Sequence, residues 1–191
     1  MWFCAGSGAW RGRKLTFTER PGLRPTGDRV RESLFNILQG GRFGDVLADA
    51  IIIDAFAGTG ALGLEALSRG GAHASFIERD RDSLAVLRAN ITRLDRVADS
   101  RVIAGDALSL ASWQGRPASL VLADAPYGSG DGLVAATQLA RIGALAPGAL
   151  VILETEKSEQ LDGGLMAAGG LASLDDRRYG RARLHVLQAT D

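Results

Sequence analysis

The stretch IIIDAFAGTGALGLEAL, from Ile51 to Leu67, decides the fold of this chain. Its apolar run ends at Asp54, and Gly58, Gly60 and Gly63 follow in the spacing G-x-G-x-x-G. In Rossmann-like folds this spacing joins a buried strand to a helix and lets the backbone approach a nucleotide-like cofactor. The stretch therefore predicts a strand at 51–54, a helix at 61–69 and a cofactor site between them.

Beyond this stretch, short apolar runs alternate with longer helical patterns. Strands are predicted at 74–78, 101–104, 119–124 and 149–154, and helices at 82–94, in a short segment after 104, and around 133–142. Such alternation indicates βαβ units and a parallel sheet. The tail, residues 171–189, instead predicts two extended segments joined near Gly180, an antiparallel hairpin at one edge of the sheet.

Upstream of the glycine stretch, TGDRVRESLFNIL predicts an amphipathic helix with arginines on its other sides. Thr26 is the expected N-cap and Asp28 lies in the first turn. The apolar face recurs at helical spacing, at Val30, Leu34, Ile37 and Leu38.

The length and composition limit the number of domains and the kinds of partner that this chain can have. A chain of 191 residues, 46% hydrophobic, is ample for one α/β domain. Its 22 basic and 22 acidic residues leave no net charge, so the totals do not indicate a strongly basic nucleic-acid binder. Residues 11–31, however, hold seven basic side chains against two acidic ones, and this segment could contact phosphates.

Cysteine and histidine are scarce. A lone Cys4 excludes an internal disulfide, and one cysteine with two histidines cannot form an ordinary zinc site, so we expect no metal. No apolar run reaches the length of a membrane span, and the first residues lack the apolar core of a signal peptide. We therefore expect a cytoplasmic protein with no membrane contact.

Four acidic residues stand at or just after predicted strand ends: Asp54, Glu78, Asp106 and Asp124. Ligands of open parallel sheets bind at the carboxyl ends of the strands. Any one of these acids could instead be a helix cap or a solvated turn residue. Glu78, 24 residues after Asp54, could accept hydrogen bonds from both ribose hydroxyls of either NAD or S-adenosylmethionine.

Asp106 could accept from an adenine amino group, or it could cap the helix expected after it. Asp54 separates the two cofactors. A carboxylate beside the glycine loop would repel a pyrophosphate, but it suits a cofactor with a positive sulfonium and ammonium. The pattern favours S-adenosylmethionine.

Asp124, Ala125, Pro126 and Tyr127 form the sequence DAPY, similar to the D/N-P-P-Y/F motif of methyltransferases that act on planar exocyclic amines. Such an amine is a weak nucleophile, so the reaction needs a carboxylate and a backbone carbonyl to hold the two amino hydrogens and aim the lone pair. Tyr127 could stack on the base. The competing interpretation is a strand that simply ends in a Pro-Tyr turn.

Taken together, the chain resembles the RsmD-type methyltransferases, S-adenosylmethionine-dependent class I enzymes that modify guanine N2 in 16S ribosomal RNA. The segments that carry the resemblance are WRGRKL (10–15), PGLRPTGDRVRESLFN (21–36), DAFAGTGALGLEALSRG (54–70), FIERD (76–80) and DAPYG (124–128). The glycine loop alone is weak, whereas RPTGDRVRESLFN joined to it is specific. Two departures are the opening MWFCAGSGA and Ala125, which replaces a proline; Pro126 still favours extended backbone at residue 125.

The resemblance implies a Rossmann-like α/β fold, a mostly parallel seven-stranded sheet with an antiparallel C-terminal hairpin and helices on both faces. Residues 1–40 would form a basic extension and helix packed on a methyltransferase domain of residues 41–191. The implied partners are S-adenosylmethionine and 16S ribosomal RNA or the assembling small subunit, and we expect a monomer.

The resemblance also implies roles for individual residues. The cofactor site would be lined by Asp54, Ala55, Phe56, Gly58, Thr59, Gly60, Glu78, Arg79, Asp106 and Ala107. Asp124, Ala125, Pro126 and Tyr127 would face the base. RNA contacts are expected from Arg11, Arg13, Lys14, Arg24, Thr26, Arg29 and Arg31, for which a solvated helix face is the alternative.

Three other functions remain open from the residues. The nearest is an amino-methyltransferase acting on adenine N6 or on a protein glutamine amide, which the RPTGDRVRE segment disfavours. An NAD-dependent oxidoreductase fits the glycine spacing but not Asp54 or DAPY. A non-catalytic RNA-binding module would be favoured by loss of Asp124, which is present.

Overall fold

The computed structural model describes residues 2–3, 14–15 and 28–190, with side chains from residue 30 onward. The strands are β1 (Trp2–Phe3), β2 (Lys14–Leu15), β3 (Ile51–Asp54), β4 (His73–Glu78), β5 (Ser100–Ala104), β6 (Ala118–Asp124), β7 (Leu145–Glu156), β8 (Leu171–Tyr179) and β9 (Ala182–Ala189). The helices are α1 (Asp28–Gln39), α2 (Ala61–Ser68), α3 (Arg81–Arg93), α4 (Asp131–Arg141) and α5 (Gly163–Ala168).

Seven of these strands form one twisted layer in the order β5-β4-β3-β6-β7-β9-β8. The pairs from β5 through β7 are parallel, and β9 runs antiparallel between β7 and β8. This confirms the predicted mostly parallel sheet with an antiparallel C-terminal hairpin at one edge. The short strands β1 and β2 pair antiparallel with each other.

Helices cover both faces of the sheet because the buried residues of its strands alternate between two apolar clusters. The first cluster contains Ile52, Phe76, Leu122 and Ile152 and packs against α1, α2 and α3. The second contains Ile53, Ile77, Val121 and Val151 and packs against α4. A period of two along each strand is what a sheet buried on both faces requires.

One predicted helix is wrong, and one helix was not predicted. No helix follows β5: residues 107–108 form a turn, in which the Asp106 carboxylate accepts from the Leu108 amide at 3.0 Å. The sequence analysis also missed α5, whose glycine-rich sequence gives little helical signal. Asp162 caps this helix by accepting from the Leu165 amide at 2.8 Å, and Thr137 on α4 donates to the Leu165 carbonyl at 3.2 Å.

Candidate active site

The carboxyl edge of the sheet, where the parallel strands end, gathers a row of four acidic side chains. Each lies two residues after a member of the first apolar cluster, so side-chain alternation turns all four to the same face. They are Asp54, Glu78, Asp124 and Glu154. Asp124 and Glu154 are direct register partners on neighbouring parallel strands. The sheet therefore brings together three acids that the sequence analysis selected and one that it missed.

Asp54 is fully buried at the end of β3. One carboxylate oxygen, Oδ2, accepts from the Gly63 amide at 2.9 Å, while Oδ1 is buried with no hydrogen-bond partner among the described residues. Burial raises the pKa of Asp54 to about 7, helped by the charges of Asp124 and Glu78 and opposed by the Gly63 hydrogen bond. A positive charge brought close to this buried carboxyl group would stabilise its ionised form.

Gly63 is required where it stands because α2 approaches β3 and β4 closely. A Cβ atom at this position would lie 2.4 Å from the Phe76 ring and 3.1 Å from Asp54 Oδ2. Gly58 and Gly60 serve a different need, since both have positive φ, of 53° and 89°. The glycine spacing thus combines one close approach with two left-handed turns.

Glu78 clamps the glycine loop. Its Oε2 accepts from the Gly58 amide at 2.7 Å, and its Oε1 accepts from the amides of Arg79 and Asp80 at 2.8 and 2.7 Å. Asn90, buried on α3, supports the same loop by donating to the Thr59 carbonyl at 2.9 Å. The sequence analysis missed this backbone role of Glu78; its predicted contact with ribose hydroxyls stays a prediction.

Asp106 and Arg79 form an exposed pair at the outer end of the row. Arg79 Nη1 donates to Asp106 Oδ2 at 2.8 Å. The Leu108 amide first, and Arg79 second, lower the pKa of Asp106. The alternative, a helix cap, is wrong because residues 107–108 form a turn; the adenine contact stays a prediction.

The remaining predicted cofactor residues lie close to this row. Ala55 and Ala107 are buried in the second apolar cluster, and Phe56 is partly buried against it. Ala55 continues the edge of β3 by donating from its amide to the Leu122 carbonyl at 2.9 Å. A Cβ at Gly58 would meet no atom within 4 Å, so space is open beside the loop.

The DAPYG loop, Asp124 to Gly128, starts at the end of β6. Asp124 is half-buried, Ala125 is buried and Tyr127 is 43% exposed. Ser129 Oγ donates to the Pro126 carbonyl at 2.7 Å, and the Gly128 amide donates to Glu159 Oε2 at 3.0 Å. The loop is therefore held from within and from the segment that follows β7.

Glu154 is the residue that the sequence analysis missed. Tyr127 Oη donates to its Oε1 at 2.6 Å, whereas Oε2 is buried without a partner among the described residues. Burial first, and the charge of Asp124 second, raise the pKa of Glu154 to about 8, and the Tyr127 hydrogen bond opposes the rise. Its position in the sequence could have indicated a site residue, since the predicted strand 149–154 ends at this acid.

Arg31 differs from the expected exposed position, and its RNA contact stays a prediction. The sequence analysis placed it on an exposed side of the helix, but it is only 5% exposed. Its charge acts on Glu65 of α2, a buried carboxylate whose pKa is raised by burial and lowered by Arg69 and Arg31. The charge of Arg31 on α1 therefore acts on α2, and little of its side chain is exposed.

The orientation of α1 follows from the same contacts. Arg31, near its start, faces Glu65, whereas Gln39, at its end, accepts from Arg69 Nη1. The Arg69 guanidinium also lies 4.8 Å from the centre of the Phe35 ring. Helices α1 and α2 therefore run in the same direction, and α1 begins at the carboxyl edge of the sheet.

Most of the predicted RNA contacts remain untested. Arg11, Arg13, Arg24 and Thr26 lie outside the described residues. Lys14 is in β2 and Arg29 is in α1, both without a described side chain. Within the described ranges, no group of three or more His, Cys, Asp or Glu residues could hold a metal ion, and none of the helices is long and apolar enough to span a membrane.

Comparison with known proteins gives consistent similarities. The family profile described as Conserved hypothetical protein 95 matches residues 5–188. The Ribosomal RNA small subunit methyltransferase D of Escherichia coli K12 is 44% identical over 149 residues, which are 78% of this chain and 72% of that protein. Its namesake in Haemophilus influenzae is 37% identical over 158 residues, 81% of this chain and 79% of the relative.

Among solved structures, an Escherichia coli protein provisionally described as a methyltransferase superposes with a TM-score of 0.78. It is 37% identical to this chain, and the match covers 96% of each. The fold is thus that of Rossmann-like methyltransferases.

Proposed function

Since the chain belongs to the Conserved hypothetical protein 95 family, that of ribosomal RNA small subunit methyltransferase D, we propose that it methylates small-subunit ribosomal RNA. The proposed reaction transfers a methyl group from S-adenosylmethionine to the exocyclic N2 of a guanine in 16S RNA. The relatives' names support ribosomal RNA as the substrate. The guanine assignment rests on the DAPY motif and on the resemblance of the N-terminal segment.

The observation that carries the proposal is the row of four carboxyl groups at the carboxyl edge of the sheet. A pyrophosphate placed here would meet the negative charges of Glu78 and Asp124, and it would further disfavour the ionised form of Asp54. A cationic cofactor would instead relieve the unfavourable burial of Asp54, whose Oδ1 lacks a partner among the described residues. The charge of the site therefore favours S-adenosylmethionine over NAD.

The residues present fit such a cofactor. Asp54 would face its positive groups, the open space beside Gly58 would accept it, and Glu78 and Asp106 would hold its ribose and adenine. When bound, S-adenosylmethionine supplies an electrophilic methyl group on a positively charged sulfur. Glu78 would have to exchange at least one of its present backbone hydrogen bonds for a ribose hydroxyl.

The DAPYG loop would hold the base. Asp124 and the Ala125 carbonyl would accept the two amino hydrogens, so that the lone pair on N2 points at the methyl group. The half-exposed ring of Tyr127, anchored through its hydroxyl to Glu154, would stack on the base. The amine releases one proton as it gains the methyl group, and the Asp124 carboxylate would receive it.

The N-terminal segment would supply part of the RNA affinity. Residues 1–40 form, in this proposal, a basic extension on the domain of residues 41–191. Helix α1 begins at the carboxyl edge of the sheet, on the site side of the domain. The proposed phosphate contacts include Arg24 and Arg29, whereas little of the Arg31 side chain is exposed.

The function can be tested in two steps. Calorimetry should detect binding of S-adenosylmethionine and S-adenosylhomocysteine and no binding of NAD. Single-turnover transfer of labelled methyl should then occur to 16S RNA, or to small-subunit particles that lack the modification. Tight NAD binding with no response to S-adenosylmethionine would contradict the proposal.

A further inference from the structure

Three exposed cations surround the turn between β8 and β9, and we call Lys157, Arg178 and Arg181 the hairpin cations. They lie at the carboxyl edge of the sheet, since β9 is antiparallel and starts where β7 ends. Glu156 is the register partner of Ala182, and the Lys157 amide donates to the Arg181 carbonyl at 2.8 Å. The hairpin turn and the DAPYG loop therefore occupy the same edge.

The hairpin also contains arginines that are already neutralised. Arg177 Nε lies 2.8 Å from Asp175 Oδ2, and Arg183 is held by the Asp176 carboxylate. By contrast, none of the hairpin cations forms a hydrogen bond or an ion pair through its side chain in the part of the chain that the structure describes. Their charges are therefore not neutralised by a hydrogen-bonded carboxylate there, although the charge of Arg178 also helps to lower the pKa of Asp176.

A chain of contacts ties the hairpin to the DAPYG loop. Arg183 Nη1 donates to the Glu159 carbonyl at 3.1 Å, and the Glu159 side chain accepts from the Gly128 amide at 3.0 Å. Burial and the hydrogen bond to Glu154 raise the pKa of Tyr127 far above its usual value, and the positive charge of Arg181 opposes that rise. Arg181 is thus close enough to act electrostatically on the predicted base-stacking residue.

The hairpin cations have the sign needed to offset electrostatic repulsion between the site and RNA. The edge of the site carries several carboxyl groups, which repel RNA phosphates, yet a base delivered to Asp124 brings its flanking phosphates with it. We propose that Lys157, Arg178 and Arg181 bind backbone phosphates of the substrate RNA next to the target nucleotide. The inference rests on the proposed function and adds to it a second RNA-contact surface. This surface comes from the C-terminal part of the sequence, whereas the first comes from the N-terminal segment.

The test compares two triple variants of the full chain with equal change of charge. The first is Lys157→Gln, Arg178→Gln and Arg181→Gln. The control replaces three other exposed arginines with Gln: Arg88, Arg93 and Arg141. They lie on α3 and α4, in the middle or at the end of each helix that is away from the site. Binding of deproteinised 16S RNA, in the presence of S-adenosylhomocysteine, is measured at several KCl concentrations.

The hairpin triple should weaken RNA binding by roughly tenfold and reduce the slope of log K against log[salt] by about 2, as expected for three lost phosphate contacts. Affinity for S-adenosylhomocysteine and the thermal midpoint should not change. Each single substitution should give about a third of the slope change, so the proposal stays testable if the triple variant folds poorly.

Equal effects in both triples, or no effect in either, would overturn the hairpin proposal. If the wild-type protein transfers methyl to RNA in that case, the proposed function survives alone. A wild-type protein that binds S-adenosylmethionine but transfers no methyl to RNA would overturn both.

Discussion

The two halves of the candidate site differ in the hydrogen-bond donors that hold their carboxyl groups. In the glycine-loop half, residues 54–63 with Glu78, the carboxylates accept from backbone amides: Asp54 from Gly63, and Glu78 from Gly58, Arg79 and Asp80. In the DAPYG half, residues 124–128 with Glu154 and Glu159, the contacts come from the loop that follows β6. Glu154 accepts from the Tyr127 hydroxyl, and Glu159 from the Gly128 amide.

The difference lies in the donors and in their distance along the chain. In the glycine-loop half the acids accept from backbone amides between 1 and 20 residues away. The DAPYG half is assembled from segments about 30 residues apart. Each half retains one buried carboxyl oxygen without a partner among the described residues, Asp54 Oδ1 in the first and Glu154 Oε2 in the second. We infer that the first half carries cofactor affinity and the second carries the methyl-transfer step.

The sharpest separation should come from Asp124→Ala. Methyl transfer should fall by about 100-fold or more, the scale of losing one positioned polar group at a reacting centre, while affinity for S-adenosylhomocysteine stays close to that of the wild type. Single-turnover transfer and calorimetry measure the two effects. Asp124→Asn is the matched control and should keep part of the activity, because its amide oxygen still accepts one hydrogen bond. An equal loss of cofactor affinity would contradict the division into halves.

Glu78→Ala should give the opposite pattern. It removes the clamp on the glycine loop and the proposed ribose acceptor, so cofactor binding should weaken by about 1–3 kcal/mol. At saturating S-adenosylmethionine the single-turnover rate should recover most of its value. Calorimetry and rates at two cofactor concentrations provide the measurement. A rate that stays low at saturation would mean that the glycine-loop half also controls the chemical step.

The pH dependence of stability should report the DAPYG half. Glu154 titrates near 4.5 in the unfolded chain and about 8 in the folded one, so between these values the folded state keeps a proton that the unfolded state has lost. The free energy of unfolding therefore falls as pH rises from 4.5 through 8.

Glu154→Gln keeps the shape of the side chain and cannot ionise, so it should flatten this decline. Asp54, with its pKa raised to about 7, adds to the decline in the same direction and remains in the variant. Thermal midpoints between pH 5 and 9 should diverge by several degrees, given about 2–4 °C per kcal/mol for a chain of this size. Parallel curves for the two proteins would show that Glu154 is not buried as a proton-holding acid.

Ala125→Pro should have the smallest effect. Pro126 already favours extended backbone at residue 125. Asp124 would become the residue before the new proline, and it already has extended backbone as the last residue of β6. The Ala125 amide donates no backbone hydrogen bond among the described residues, so a proline removes none there. Activity close to wild type is expected. A folded but inactive variant would show that this loop differs from the family's D-P-P-Y form.

Sequence reasoning located the elements whose signals are local. The glycine spacing and the apolar run before Asp54 predicted β3, α2 and their junction, and the turn at Gly180 predicted the hairpin. It missed α5, where glycines mask the helix, and the role of Glu78 in clamping Gly58. Glu154 and Glu159 were missed for another reason: their partners are Tyr127 and Gly128, about 30 residues away, and only the β6–β7 register brings them together.

Arg31 shows the converse limit. Its helical position predicted an exposed side chain, yet it is only 5% exposed, and its charge acts on the buried Glu65 of α2. A pattern on one helix cannot reveal which side a second helix will cover. Tertiary packing therefore decides how much of a helical side chain is exposed, which the helix pattern alone does not show.

The most direct test of the account is the identity of the methylated nucleoside. Small-subunit ribosomal RNA lacking the modification is incubated with the wild-type protein or with Asp124→Ala and S-adenosylmethionine, digested to nucleosides and analysed by mass spectrometry. The account predicts N2-methylguanosine at one position with the wild type and almost none with the variant. Formation of N6-methyladenosine, or equal N2-methylguanosine from both proteins, would contradict it.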